Sequence, residues 1–150
     1  MMNRLMKAVI PVLGAAAMML STPPVRAADS PELTLTPRPQ QDNRLRDGAV
    51  IGSVRVMYHP PHTGFRVWLE AEKSGTAADR YVLSGKNDAR HRLTVRLAGE
   101  GWQPDSTESR SGVIRQTADE QVSVDIVADG NQEAAVDEYT ITANAMAMVP

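Results

Sequence analysis

The residues best suited to hold a metal are His59 and His62, spaced as HPPH, together with Met146 and Met148 near the end of the chain. Thioethers suit Cu(I) and imidazole suits Cu(II), so the set spells an exported copper site. Against it, Pro60 and Pro61 fix the local backbone without making the imidazoles converge. In the competing reading HPPH is a loop and the methionines face a groove or solvent. Catalysis has less to draw on. The chain has no cysteine, its serines lie mostly in polar loops away from a histidine, and its carboxylates are scattered at turns. The expectation is a protein that is not an enzyme and carries no cofactor or metal.

A second constellation is cationic and aromatic. Arg66, Arg90, Arg92 and Arg96 lie opposite the core residues of two strands that could be neighbours, and Trp68 is out of phase with Phe65, Val67 and Leu69. A tryptophan beside arginines is a frequent binding hot spot, and a basic strip suits an acidic receptor. These five residues form the expected receptor-binding face. The alternatives are a solvated sheet face, and a Trp68 covered by the loop that holds Trp102.

Positioning such residues falls to an exported domain. Arg4 and Lys7 give a basic start, Ala8–Leu20 is a thirteen-residue apolar run, and Ser21–Ala27 (STPPVRA) is polar with Val25 and Ala27 at the small-residue positions of a signal peptidase site. Residues 1–27 therefore read as a cleaved signal, with the domain at residues 28–150. As a membrane anchor the run falls short, since thirteen residues span about 20 Å of helix against about 30 Å of hydrocarbon. The remaining 123 residues hold thirteen basic and eighteen acidic side chains, a formal charge of -5 that argues against nucleic acid. Eleven of those cations are arginines. Without a disulfide, core packing alone must hold the domain.

Alternation at period two marks the elements. Leu33 and Leu35 alternate in PELTLTP (31–37). Val50, Val54, Val56 and Tyr58 share a face within Gly48–Tyr58, where Gly52 suggests a bulge. Phe65, Val67, Leu69 and Ala71 give the clearest pattern. Tyr81–Leu83 is short; His91, Leu93, Val95 and Leu97 follow; Val113–Ile114 is brief; and Val122, Val124 and Ile126 alternate in Gln121–Val127. Arg38–Asp47, Gly99–Gly112 and Ala128–Val136 read as loops. Six or seven strands without a convincing helix indicate an all-β, immunoglobulin-like sandwich.

The last stretch, Asp137–Pro150, places Tyr139, Ile141, Ala143, Ala145, Ala147 and Val149 on one face. Tyr139 after the ADGNQ loop fits a tyrosine corner, which would make this strand F, although an ordinary core tyrosine fits as well. If the corner is real, strand G is missing. An open edge of that kind normally aggregates, and small alanines along it would leave a groove for the large side chains of a donated strand.

A set of ordered pieces carries a family resemblance: LRDGA (45–49), HTGFRVW (62–68), RYV (80–82), GEGWQP (99–104), EQV (120–122), ADGNQ (128–132) and EY (138–139). With these the chain resembles the Afa/Dr-type invasin subunits of enterobacterial chaperone-usher fimbriae, a group akin to the tip subunits of atypical fimbriae. The resemblance implies an incomplete immunoglobulin-like pilin that lacks strand G and is completed by donor-strand complementation. Its implied partners are a periplasmic chaperone, an outer-membrane usher, an adjacent subunit that donates a strand, and a host-cell receptor such as an integrin. Its implied place is the fimbrial tip at the cell surface, and its implied role is adhesion or entry. Only ADS (28–30) separates the cleavage site from the first strand, so the chain reads as an acceptor rather than a donor of a strand. The cysteine pair common in the family is missing, and Tyr58 and Ala147 stand near those strand ends as a large and small pair. The reading from a different class is a stand-alone periplasmic β-sandwich that binds copper or a small ligand.

Overall fold

The computed structural model describes residues 3–12, 31–105 and 111–150. The expected cleavage site after Ala27, and residues 106–110 of the long polar loop, lie outside them. The described residues contain only strands, bends and turns. In chain order the strands are β1 (Asn3–Val12), β2 (Glu32–Pro37), β3 (Arg44–Leu45), β4 (Val50–Met57), β5 (Gly64–Leu69), β6 (Glu72–Lys73) and β7 (Arg80–Ser84). After these come β8 (Arg92–Ala98), β9 (Gln103–Pro104), β10 (Val113–Gln116), β11 (Gln121–Ala128), β12 (Gln132–Glu133) and β13 (Asp137–Met148).

Among the described residues two main sheets form, one ordered β1-β13-β5-β10-β9 and the other β2-β4-β11-β8-β7-β6. The inner faces merge into one core: Leu33, Leu35, Val54, Val56, Leu93, Val95, Leu97, Val124 and Ile126 from one sheet meet Phe65, Val67, Leu69, Val113, Tyr139 and Ile141 from the other. Alternation buries one face of each strand, and the hydrophobic effect pairs the two faces. The order β2-β4-β11-β8 is that of strands A, B, E and D in an immunoglobulin sandwich, and β13-β5 is that of F and C. The assignment of the last strand as F is therefore a matter of topology.

Local departures from the expected pattern have identifiable causes. The ladder between β4 and β11 shifts register where Ile126 faces Gly52 and Val127 faces Val50, so Ile51 is the extra residue of a bulge. The bulge turns Ile51 into the core and leaves Val50 half-buried, where strict alternation put Val50 inside. Two stretches read as loops pair briefly, β3 with β12, and bury Leu45. Trp102 is buried as well, its indole N–H donating to the Ser123 carbonyl at 2.8 Å, which ties the long loop to β11.

Candidate functional site: the strand place beside β13

On one side β13 pairs with β5, and the row of small side chains meets large ones: Ala143 faces Leu69, Ala145 faces Val67 and Ala147 faces Phe65. Tyr139, Ile141, Ala143, Ala145 and Ala147 are all buried, as the alternation predicts. Alanine methyls fill little of the space between the sheets, so on the other side of β13 that space falls to the side chains of the next strand. In the chain that place is taken by β1, antiparallel, in a ten-residue register from Asn3 opposite Met146 to Val12 opposite Asp137. Met6 stands opposite Ala143 and keeps only 6% of its surface exposed. The backbone N–H of Leu35, in β2 of the other sheet, lies 3.2 Å from the Met6 sulfur. One strand thus bridges both sheets and occupies the G position of the sandwich. Its flexible thioether side chain suits a gap walled by alanine.

The start of β13 is fixed by two devices. The Tyr139 hydroxyl donates to the Ala135 carbonyl at 2.7 Å, four residues upstream, which is a tyrosine corner. Burial, and then the charge of Asp137, push the Tyr139 phenol up, so it stays a donor. Asp137 itself is buried and accepts from the Asn87 backbone at 3.0 Å, the Asn87 amide at 2.8 Å, the Asp88 backbone at 3.1 Å and His91 Nδ1 at 2.9 Å. Burial alone would raise its carboxyl, but hydrogen bonds from His91, Asn87 and Glu138 outweigh it and hold the pKa at about 2. Gly85 lets the β7–β8 turn approach this carboxylate, because a Cβ there would collide with it. Alternation assigns His91 to the core row, whereas its ring is half-buried and bonds Asp137; a carboxylate opening a strand is the sequence signal for such an anchor.

With this geometry in view, comparison with known proteins is decisive. The family model described as Enterobacteria AfaD invasin protein matches residues 41–145. Protein AfaD of Escherichia coli is 41% identical over 119 residues, covering 79% of this chain and 80% of that one. The chain belongs to the enterobacterial AfaD invasin family. Among solved structures, the Salmonella SafD adhesin is similar with a TM-score of 0.75 and 39% identity, covering 79% of this chain and 84% of that one. The minor tip subunit HdaB of the E. coli Hda pilus superposes with a TM-score of 0.76 at 26% identity, covering 80% of this chain and 84% of that one. As in the AfaD family, the fold is an immunoglobulin-like sandwich whose body, here Pro31 onward, lacks its last strand.

Other expected site residues of this AfaD-family chain fall differently. Val149 lies past the end of β13 and is 47% exposed, so the buried row ends at Ala147. The single arginine strip does not form, because β5 and β8 belong to different sheets. Arg66 and Trp68 sit on one outer face, Arg92 and Arg96 on the other. Each arginine is also matched locally. Arg90 pairs with Asp88 at 2.9 Å, Arg92 with Glu72, and Arg96 with Asp47 at 2.6 Å and Asp129 at 3.1 Å.

Arg66 lies with its guanidinium carbon 4.3 Å above the Trp68 ring and donates to the Ser111 carbonyl at 2.7 Å, with Nε 3.1 Å from the buried Asp105 carboxylate. The indole N–H of Trp68 donates to Glu70 at 3.0 Å. The loop that holds Trp102 reaches this face at Asp105 and at Ser111–Gly112. Gly112, at φ 105°, passes so close to Val67 and Trp68 that a Cβ would clash.

The two HPPH histidines diverge. His59 pairs with Glu120 at 2.9 Å in the open. His62 is buried between Tyr58 and Phe65, and its ring nitrogens face the Pro60 carbonyl at 2.8 Å and the Asp119 carbonyl at 2.7 Å. Each ring nitrogen thus faces a backbone carbonyl at hydrogen-bond distance, and the approach a metal would need is taken on both sides of the ring.

Proposed function

We propose that the chain is a minor tip subunit of a chaperone-usher fimbria, an adhesin and invasin displayed at the cell surface, and that it is neither an enzyme nor a metal carrier. The leader Met1–Ala27 is removed on export, and Ala28–Pro150 is the functional domain. Its central feature is an acceptor groove walled by Tyr139, Ile141, Ala143, Ala145 and Ala147, into which an adjacent subunit donates a strand. A periplasmic chaperone covers the groove until an outer-membrane usher exchanges it for that subunit.

The observation that carries this reading is the strand place beside β13. On the edge of β13 away from β5 the ladder is completed by β1, a strand that the body of the sandwich from Pro31 onward does not supply, beside the buried row Ala143, Ala145 and Ala147. Strand addition fits such a place, because backbone hydrogen bonds give affinity and the groove selects side chains. For a host receptor, the better supported part of the expected face is the half-buried Trp68, whose ring is held in place by the largely covered Arg66 guanidinium stacked on it.

The test is immunogold labelling of fimbriated bacteria with antibody against this subunit, combined with adherence to epithelial cells. The reading predicts label at fibre ends, and adherence lowered by Trp68→Ala with unchanged fibre assembly. Label confined to the periplasm, with adherence unaffected by deletion of the subunit, would overturn it.

A further inference from the structure

We propose that His62 is a proton-operated clasp: in the folded chain both of its ring nitrogens carry hydrogen, and the imidazolium ties the β4–β5 loop to the loop that leads into β11. The inference goes beyond the adhesin reading and uses no part of the strand place. His62 is 8% exposed, and its Nδ1 lies 2.8 Å from the Pro60 carbonyl while Nε2 lies 2.7 Å from the Asp119 carbonyl. A carbonyl oxygen only accepts. A neutral imidazole has one N–H and one lone pair, so it satisfies one of these oxygens and turns its lone pair on the other. In so covered a place that contact is repulsive, whereas the imidazolium donates to both.

The HPPH spacing builds this clasp. Pro60 and Pro61 hold the turn, and Pro61 offers no N–H, so the Pro60 carbonyl meets the ring two residues on. The ring is wedged between Tyr58, edge-on with centroids 5.6 Å apart, and Phe65 at 4.6 Å. The same two loops are joined elsewhere: the Tyr58 N–H donates to the Glu120 carbonyl at 2.8 Å, the Thr117 N–H to the Thr63 carbonyl at 3.0 Å, and His59 Nδ1 meets the Glu120 carboxylate at 2.9 Å. Thr63 also donates its N–H to the Met148 carbonyl at 2.7 Å, so the clasp is continuous with the last residue of β13.

The titratable and charged groups described around this end are Tyr58 after β4, His59 in the same loop, Asp119 and Glu120 before β11, Glu32 on β2 opposite Met57, and Arg115 on β10 opposite Phe65. The Arg115 guanidinium donates to the Glu100 carbonyl at 3.1 Å. Three carboxylates against one arginine favour a charged ring. The contribution of the clasp is full below about pH 6.5, where the histidine of an unfolded chain also holds its second proton, and it is lost as pH rises and the folded ring gives that proton up.

The test uses the mature subunit held folded by the strand that completes it. Nitrogen NMR of the imidazole rings at about pH 7 is predicted to find both His62 nitrogens protonated. A lone pair on either nitrogen at that pH would overturn the proposal. Between about pH 5.5 and 8.5 the unfolding equilibrium constant in urea should rise about tenfold or more, and His62→Gln, which has amide donors but does not titrate, should flatten that rise. His59 and His91 are common to both proteins, so their share cancels. An equal rise in both would overturn the proposal. If the domain proves to fold without a donated strand, the same two measurements are made on it alone, so the fate of the groove does not decide that of the clasp.

Discussion

The Tyr139 hydroxyl and the Ala135 carbonyl, 2.7 Å apart, lock the chain into β13 at a fixed angle. The bond sits where the strand enters the core, so it decides which residues of the last stretch face the groove. Tyr139→Phe removes a charge-neutral hydrogen bond and leaves the ring in place. The expected loss is about 1 kcal/mol, seen as a lower urea midpoint with an unchanged slope. A midpoint equal to that of the unaltered chain would mean that the corner does not hold the strand.

Asp137 predicts an acid-sensitive anchor. Its folded pKa of about 2 lies below the ordinary 3.8, so its contribution is full above that ordinary value and is lost as pH falls toward 2. The difference corresponds to roughly 2 kcal/mol. Stability measured by urea unfolding should fall across that window, and the fall should flatten in Asp137→Asn. Gly85→Ala should also destabilise at neutral pH, because its Cβ meets the Asp137 carboxylate. An identical pH profile for Asp137→Asn and the unaltered chain would contradict this account.

The arginines should separate by burial. Arg96 is largely covered and bonds Asp47, Asp129 and the Ala128 carbonyl, so Arg96→Ala should cost about 1–3 kcal/mol. Arg90 is exposed and pairs only with Asp88, two residues away in its own turn, among the partners described. Thermal unfolding of Arg90→Ala should match the unaltered chain closely, as exposed ion pairs contribute little.

Much of the architecture is legible because alternation survives wherever a strand is regular. The rows Phe65–Val67–Leu69 and Tyr139–Ile141–Ala143–Ala145–Ala147 could be read directly, and they are buried. Val50 misleads because a bulge consumes Ile51 and reverses the phase, and Val149 misleads because the ladder stops at Met148. Alternation also says nothing about which sheet a strand joins. That is why Arg66 and Arg96 look like one strip in sequence and occupy opposite faces of the sandwich. The Asp137 cluster escapes for a related reason: its donors Asn87 and His91 are some fifty residues away and meet it only after folding.

The acceptor groove proposed beside β13 should discriminate by volume. Ala143→Leu fills the space opposite the incoming side chain, and overpacking of about 1–3 kcal/mol corresponds to a fivefold to hundredfold loss of donor affinity. Thr140→Leu, on the half-exposed face of the same strand, serves as the control and should change affinity by no more than about twofold. Fluorescence anisotropy with a labelled donor peptide measures both.

The central claim is that β13 ends the body of an incomplete sandwich. It is tested most directly by producing residues 28–150 alone and recording thermal unfolding with and without a donor-strand peptide. The account predicts a domain that is marginal or aggregating alone and gains a sharp transition, well above the starting one, when the peptide is bound. A cooperative, monomeric domain whose midpoint is the same with and without the peptide would contradict it.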